Sequence, residues 1–423
     1  MKPIRRLAAP SALAVRAGDV RAADHVCRRT IRGRSVFAVL VVVAATGTLG
    51  LAALQERGPS PTSVDELRAA IGKLGDLDYG VRAKAGRVIR RAPAAEAVPA
   101  LLQAAREHED GYIRFRALVL LTGFNDPRTA DQMQEALASP NDRLREVAYG
   151  YFEHHPDRAL AGRFLDALNK ENGEFVRPSL IRALAALGDD AKVREALLVD
   201  VMRGVDYFRS TVIEALGDYK RTYAIPRLTE VAMLEGPLQD DAVLALGNLG
   251  EKQAMTTLAN LQRTGSKDLQ PTVAAAICLL GVNCSSHIGY LEKIVGFADK
   301  NPGYQDLVRP AAAGLGDIAV RGNAEALDIL FAYGIPSNDP IRAPLALAVG
   351  KAALRNTPLM LEVLQKQKDQ AGAISLLAEA FDMLEEDLEE EQFFVTVRKG
   401  YWAAPETSPV RKLSEQLIAK LDF

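Results

Sequence analysis

The chain predicts an all-α protein: an α-solenoid of about eleven helix pairs over residues 64–423, preceded by one hydrophobic amino-terminal helix. Three observations predict it. An apolar-arginine pair returns at steps of 31 or 32 residues, the mark of tandem supersecondary units. Only 6% of residues are aromatic while alanine and leucine abound, which favours helix over strand. An uncharged stretch of membrane-spanning length follows an arginine-rich leader. With 48% hydrophobic and 25% charged residues, the 423-residue chain is globular in composition. Three cysteines without ligand spacing exclude a disulfide-dense scaffold and a zinc site.

The leader, residues 1–34, carries nine basic groups against Asp19 and Asp24, a net +7, and reads as a disordered cytoplasmic or n-region. Residues 35–54, from Ser35 to Leu54, carry no charge; at ~1.5 Å per residue they span a ~30 Å hydrocarbon core. Basic groups in front of this run predict a cytoplasmic amino terminus and an exported body. The run is either a transmembrane anchor or a signal h-region cleaved near Gly50-Leu51-Ala52. Cleaved, the body is periplasmic or secreted; uncleaved, it is a single-pass inner-membrane protein. Residues 55–63 (QERGPSPTS) form a linker. The rest of the chain bears −9, which argues against a nucleic-acid partner, since that needs a basic stripe.

From residue 64 onward the repeat takes over. Its arginines are Arg82, Arg114, Arg145, Arg177, Arg209, Arg309, Arg342 and Arg411, with Gln239, Gln270 and Ala373-Ile374 holding the frame between. Ser63-Val-Asp-Glu66 opens the array as a capping box. Leu238 to Gly250 places apolar groups on one helix face and ends at a glycine cap. Ala97-Val-Pro-Ala-Leu-Leu102 and Ala224-Ile-Pro-Arg-Leu228 predict partner helices with proline near the first turn.

These residues resemble the HEAT-like repeats of the phycobilisome-lyase type, across about residues 64–423 and most clearly at Gly80–Ile113 and Leu238–Gly250. The resemblance implies a solenoid whose second helices line a concave surface. With helices ~8–10 Å apart, eleven layers would form an arc of about 100 Å. It also implies a choice among lyases, hydroxylases and plain scaffolds.

The arginine series is read as a structural ladder pairing with acidic caps, the other reading being a phosphate or carboxylate site. It lapses at Gln239 and Gln270, beside helices around Ala242–Leu249, Val273–Leu280 and Ala311–Leu315 that are apolar on most faces. Such helices are either buried twice over, the preferred reading, or an uncharged stretch of groove. Tyr149, Tyr151 and Phe152 stand where neighbouring repeats have alanine, and read as core filling or as a partner anchor. Adjacent His154 and His155 point about 100° apart on a helix and do not share a metal. His108-Glu109 alone does not supply the several His-Glu pairs that di-iron hydroxylases on similar repeats use. Cys278 and Cys284 bridge in an exported body or stay reduced in the cytosol. The acidic run 385–391 reads as a solvated loop feeding a helix amino terminus rather than a calcium loop.

The expectation is therefore a non-catalytic protein–protein interaction scaffold of the bacterial cell envelope, with no catalytic, cofactor or metal residue. Its partner, another protein, would meet the concave face at Tyr149, Tyr151, Phe152, Gln239 and Gln270; if uncleaved, residues 35–54 would hold it to the membrane. The alternative is a lyase- or hydroxylase-type enzyme built on similar repeats.

Overall fold

A computed structural model describes residues 62–384 and 386–423. The leader, the uncharged run 35–54 and most of the linker lie outside the described residues. Among the described residues no helix is long and apolar enough to cross a membrane.

The described residues form 22 α-helices and no strand, in eleven successive pairs. The first pairs are α1 (Val64–Gly72) with α2 (Tyr79–Arg91), α3 (Ala94–Glu107) with α4 (Gly111–Thr122), and α5 (Arg128–Ala136) with α6 (Asp142–His154). Next come α7 (Ala161–Leu168) with α8 (Val176–Ala186), α9 (Ala191–Asp200) with α10 (Asp206–Asp218), and α11 (Ile225–Ala232) with α12 (Gln239–Leu249). Then follow α13 (Met255–Thr264) with α14 (Gln270–Leu279), α15 (Cys284–Lys300) with α16 (Val308–Val320), and α17 (Ala324–Gly334) with α18 (Arg342–Arg355). The array ends in α19 (Thr357–Lys366) with α20 (Gln370–Leu384), and α21 (Asp387–Ala403) with α22 (Pro409–Leu421).

Local chemistry sets the boundaries. The Ser63–Glu66 capping box is formed in both directions, Glu66 N donating to Ser63 Oγ and Ser63 N to the Glu66 carboxylate. Asp78 and Asp110 cap α2 and α4 in one direction only, their carboxylates accepting from backbone N–H groups of the first turn. Gly250 turns left-handed at φ 74°, which a side chain would resist, and so ends α12. Pro226 occupies the first turn of α11, as expected. Pro99 does not: α3 already begins at Ala94 behind Pro93, so Pro99 sits inside the helix.

Second helices stack on second helices, while the first helices meet one another more sparsely. Glycine explains the difference. A Cβ on Gly217 would lie 2.8 Å from Ala245 Cα, and one on Gly247 would lie 2.6 Å from Ala276 Cα. The Leu-Gly ending of the repeat thus brings α10, α12 and α14 together backbone to backbone. Close approach on one side alone shortens that side and bends the array. Helix α14 is buried on both flanks: Val273 and Ile277 belong to the amino-terminal core, Ala274, Ala275 and Cys278 to the carboxy-terminal one. The packed reading of the apolar helices is the one the structure adopts.

The open 100 Å arc is not what forms. Arg87 pairs with Asp422, Arg90 with Glu391, and Arg116 with Asp387, so the first two repeats join the last pair. Instead of taking an outer position, α21 lies on the second helices α4, α6 and α18. Its Leu388 reaches to 3.6 Å from where a Cβ on Gly150 of α6 would stand. The concave surface is occupied by the chain itself.

Candidate functional site

The acidic run, over its described residues 386–391, does not stand in solvent. Rather than a solvated loop, Glu386, Asp387, Glu389 and Glu391 run from the N-cap of α21 into its second turn and face cations of the second helices. Glu391 accepts from Arg90 Nε at 2.8 Å and is itself almost wholly buried. Glu386 accepts from Arg355 Nη2 at 2.9 Å, and His154 Nε2 lies 3.3 Å from Glu389 Oε1. Glu153 accepts from Arg182 Nε and from Tyr219 Oη, each at 2.8 Å. Asp317 of α16 extends the seam to Asn248 and Lys351.

The seam's electrostatics follow from burial against pairing. Burial pushes Glu386 up to about 7 and Asp218 up to about 6, although Arg355 and Arg182 respectively pull the other way. Burial likewise raises Glu146 to about 7. Burial opposes charge on His154 too, but the Glu389 hydrogen bond and the field of Glu153 hold its pKa above the usual histidine value. Glu389, despite its burial, is lowered to about 2 by His154 and Arg355.

Glu153, His154 and Glu389 offer ligand atoms within 4.8 Å of one another. As a metal centre the trio fits poorly. Arg182 and Tyr219 hold Glu153, and Arg355 Nη1 stands 3.8 Å from Glu389 Oε1, so the carboxylates are already neutralised by fixed donors. His155, turned away as helix geometry requires, stacks on Tyr151 at 4.2 Å.

The arginine ladder pairs with carboxylates as expected at Arg145, Arg177, Arg209 and Arg342, but its more constant partner is the backbone. Arg114 Nε donates to Ala105 O, Arg177 Nη1 to Glu171 O, Arg209 Nε to Val201 O and Arg342 Nη1 to Gly334 O. Arg82 bonds the carbonyls of Asp76 and Leu77, and Arg411 those of Tyr401 and Ala404. Each guanidinium thus satisfies carbonyls at the end of the preceding helix or in the turn after it, and opposes the negative pole of that helix. Carboxylates come second: Arg145 bonds Ser139 O and also Glu171, and Arg177 also pairs with Asp200. Arg309 is exposed and stands apart from this pattern.

Gln239 and Gln270 have the same task. Gln239 Nε2 donates to Ala232 O at 2.9 Å, and Gln270 Nε2 to Leu261 O and Gly265 O. Gln370, bonded to Leu364 O, takes the place in the next-to-last repeat. The gap in the ladder is a change of donor, and these amides are engaged within the array. Tyr149 and Phe152 are 3% exposed and pack on Phe164. They fill the core and present no ring to a partner, while Tyr151 is half-buried. Cys278 and Cys284 lie with Cα atoms 4.2 Å apart and sulfurs in bonding contact.

Sequence reasoning missed a different row. Tyr79, Tyr112, Phe175 and Tyr207 stand at the starts of α2, α4, α8 and α10, between 37% and 63% exposed. Neighbouring turns touch, so the row is continuous. Asp110 Oδ2 lies 2.9 Å from a Cβ position on Gly75, Arg143 covers the Phe175 ring at 4.1 Å, and Tyr207 Oη donates to Glu174 O. Around the rings stand the exposed carboxylates Asp76, Asp78, Glu109, Asp110, Asp142, Glu174 and Asp206. Exposed Lys73, Lys170 and Arg203 and half-buried Arg82, Arg114, Arg143, Arg177 and Arg209 stand beside them; Arg82 covers the Tyr79 ring at 5.7 Å and Arg209 bonds Asp206. The signal was present: in four of the first five repeats an aromatic residue precedes the laddered arginine by two or three positions.

Residues 64–153 match the family model for HEAT repeats. This stretch of the chain is a run of HEAT repeats. A search of curated proteins finds no match. Among solved structures, this helical array is similar to the complex of CpcE and CpcF of phycocyanin lyase from Nostoc sp. (19% identity, 60% of this chain and 96% of that one, TM-score 0.37). It is also similar to human deoxyhypusine hydroxylase (19% identity, 71% of this chain and 98% of that one, TM-score 0.29). A third likeness is to Kap121p, at 14% identity over 85% of this chain and 49% of that one, TM-score 0.30.

Proposed function

We propose that this HEAT-like protein is a non-catalytic interaction scaffold that presents the rim of its first five repeats, rather than its concave face, to another protein. The carrying observation is the row Tyr79, Tyr112, Phe175 and Tyr207, large rings held in water at equivalent turns of a rigid array. Rings of this kind supply most binding energy where partners meet, and repetition sets their spacing in advance. Filling of the concave side by α21 moves recognition to this edge. Less supports a lyase- or hydroxylase-type activity, because the one cluster of ligand-type side chains found among the described residues is already held by arginines.

The body is placed outside the cytoplasm in this proposal. The basic leader before the uncharged run 35–54 supports that, and so does the close approach of Cys278 and Cys284. The test is site-specific photo-cross-linking of the full chain in its native envelope. A photoreactive residue at Tyr112 should capture a discrete protein, and one at Glu230 on the outer helix α11 should not. Equal yields at both positions, or none at Tyr112, would remove the proposal.

A further inference from the structure

Resting on the scaffold reading, we infer that the rim binds an extended, arginine-rich segment of its partner, its basic side chains meeting the rings that the chain's own arginines leave uncovered, Tyr112 and Tyr207. Three observations carry this. The first is charge: among the exposed side chains around the rings carboxylates outnumber cations, on a body of net charge −9. The half-buried Arg82, Arg114, Arg143, Arg177 and Arg209 are tied to backbone carbonyls, Glu146 or Asp206. A second copy of this chain would bring like charge to the same edge.

The second observation is a stand-in within the molecule. The third repeat lacks an aromatic residue at the equivalent turn and has Arg143 there instead. Its guanidinium carbon stands over the Phe175 ring, 4.1 Å from the centroid, while the group bonds Glu146 at 3.2 Å. Ring below and carboxylate beside is the arrangement that an incoming arginine would find at Tyr112 and Tyr207. One place in the row already shows what the uncovered rings accept.

Spacing is the third. Stacked helices stand ~8–10 Å apart, whereas a polyproline II chain advances ~9.3 Å in three residues. An extended segment with a basic residue at every third position therefore keeps step with the repeats. A helical segment does not, since three residues of helix advance only ~4.5 Å.

The experiment uses the full chain and a fluorescein-labelled peptide of repeating Arg-Pro-Pro, with Glu-Pro-Pro and Ala-Pro-Pro peptides as controls. Anisotropy should show binding of the arginine peptide alone, weakened by added salt. Tyr112→Ala with Tyr207→Ala should weaken it roughly tenfold, as loss of two cation–ring contacts implies. Tyr112→Phe should keep it. Circular dichroism should show the double variant folded, its melting temperature lowered only by the loss of the Tyr207 Oη bond to Glu174 O. Tyr207→Phe, which loses that bond but keeps the ring, should match it in stability while still binding the peptide. Equal binding of all three peptides, or no effect of the double substitution, overturns the inference. So does a cross-link from position 112 to residues 1–34 of the same chain, which would give the rim an occupant in cis. A rim that cross-links to a protein yet ignores the arginine peptide keeps the scaffold reading and removes only this inference. A rim that does neither removes both.

Discussion

Arg90 on α2 and Glu391 on α21 form a two-pronged ion pair across 301 positions of sequence, with side chains 7% and 1% exposed. Arg90 also covers the Phe394 ring at 5.3 Å. Such a pair is costly to desolvate and more costly to break. It fixes where α21 sits better than it adds net stability.

Arg90→Ala should therefore loosen α21 by about 3–5 kcal/mol, since Glu391 would remain buried with only the more distant Arg398 and the field of Arg116 to offset its charge. Replacing both partners, Arg90→Met with Glu391→Leu, should cost less. The single tryptophan, Trp402, lies on α21 and reports its release in urea. An unshifted tryptophan midpoint in Arg90→Ala would show that the pair does not hold the helix.

Stability should peak in mild acid. Glu386, Glu146, Asp218 and His154 all have folded pKa values raised above the unfolded ones. Their contribution is full below the unfolded values and is lost as pH rises through the folded ones. Glu389 and Glu391 are depressed and act oppositely, losing theirs as pH falls below the ordinary carboxylate range. The melting temperature should be highest between roughly pH 4.5 and 6 and decline through pH 8. His154→Gln should flatten the alkaline side. A profile that rises steadily from pH 5 to pH 8 would contradict this balance.

Capping, more than charge, is the work of the ladder. Arg209→Ala removes the bond to Val201 O and should cost ~1–2 kcal/mol. Arg209→Gln should cost less than half of that, because Gln239 and Gln270 already make the same bond elsewhere. Thermal melts followed by circular dichroism compare them; equal losses would return the role to the ion pair with Asp206.

Gly247→Ala should destabilise by ~1–3 kcal/mol although alanine is the better helix former, since its methyl would meet the Ala276 backbone at 2.6 Å. Gly162→Ala on α7, with nothing within 4 Å, should be neutral or stabilising. Opposite signs in chemical denaturation are expected; matching signs would mean that the second helices are not in backbone contact.

Cys278 and Cys284 should be bridged in protein taken from the envelope. Intact mass should then fall short of the reduced chain by two hydrogens, and alkylation without reductant should leave both unlabelled. Two labelled thiols would exclude the bridge.

Helix positions were legible because their signals are local. Ser63 and Glu66 make their box three residues apart, and Gly250 ends its helix by its own φ. The small residues of α12 and α14 announced close packing. The partner-facing residues were not legible in the same way. Tyr149 and Phe152 are conspicuous in sequence and lie inside, while Tyr79 and Tyr207 look ordinary and lie outside. Side-chain type records a preference for burial, but which face of a repeat meets water depends on neighbours about 32 residues away.

The sequence by itself determined the tandem helix pairs, their number, their caps and the small-residue seam between second helices, since each depends on contacts within one repeat or between adjacent ones. Only the tertiary structure decided that the array bends back on itself and that α21 fills its own concave side. That outcome rests on Arg90 with Glu391, Arg116 with Asp387 and Arg87 with Asp422. Small tilts accumulated over eleven pairs bring those groups together, and no single repeat encodes the sum.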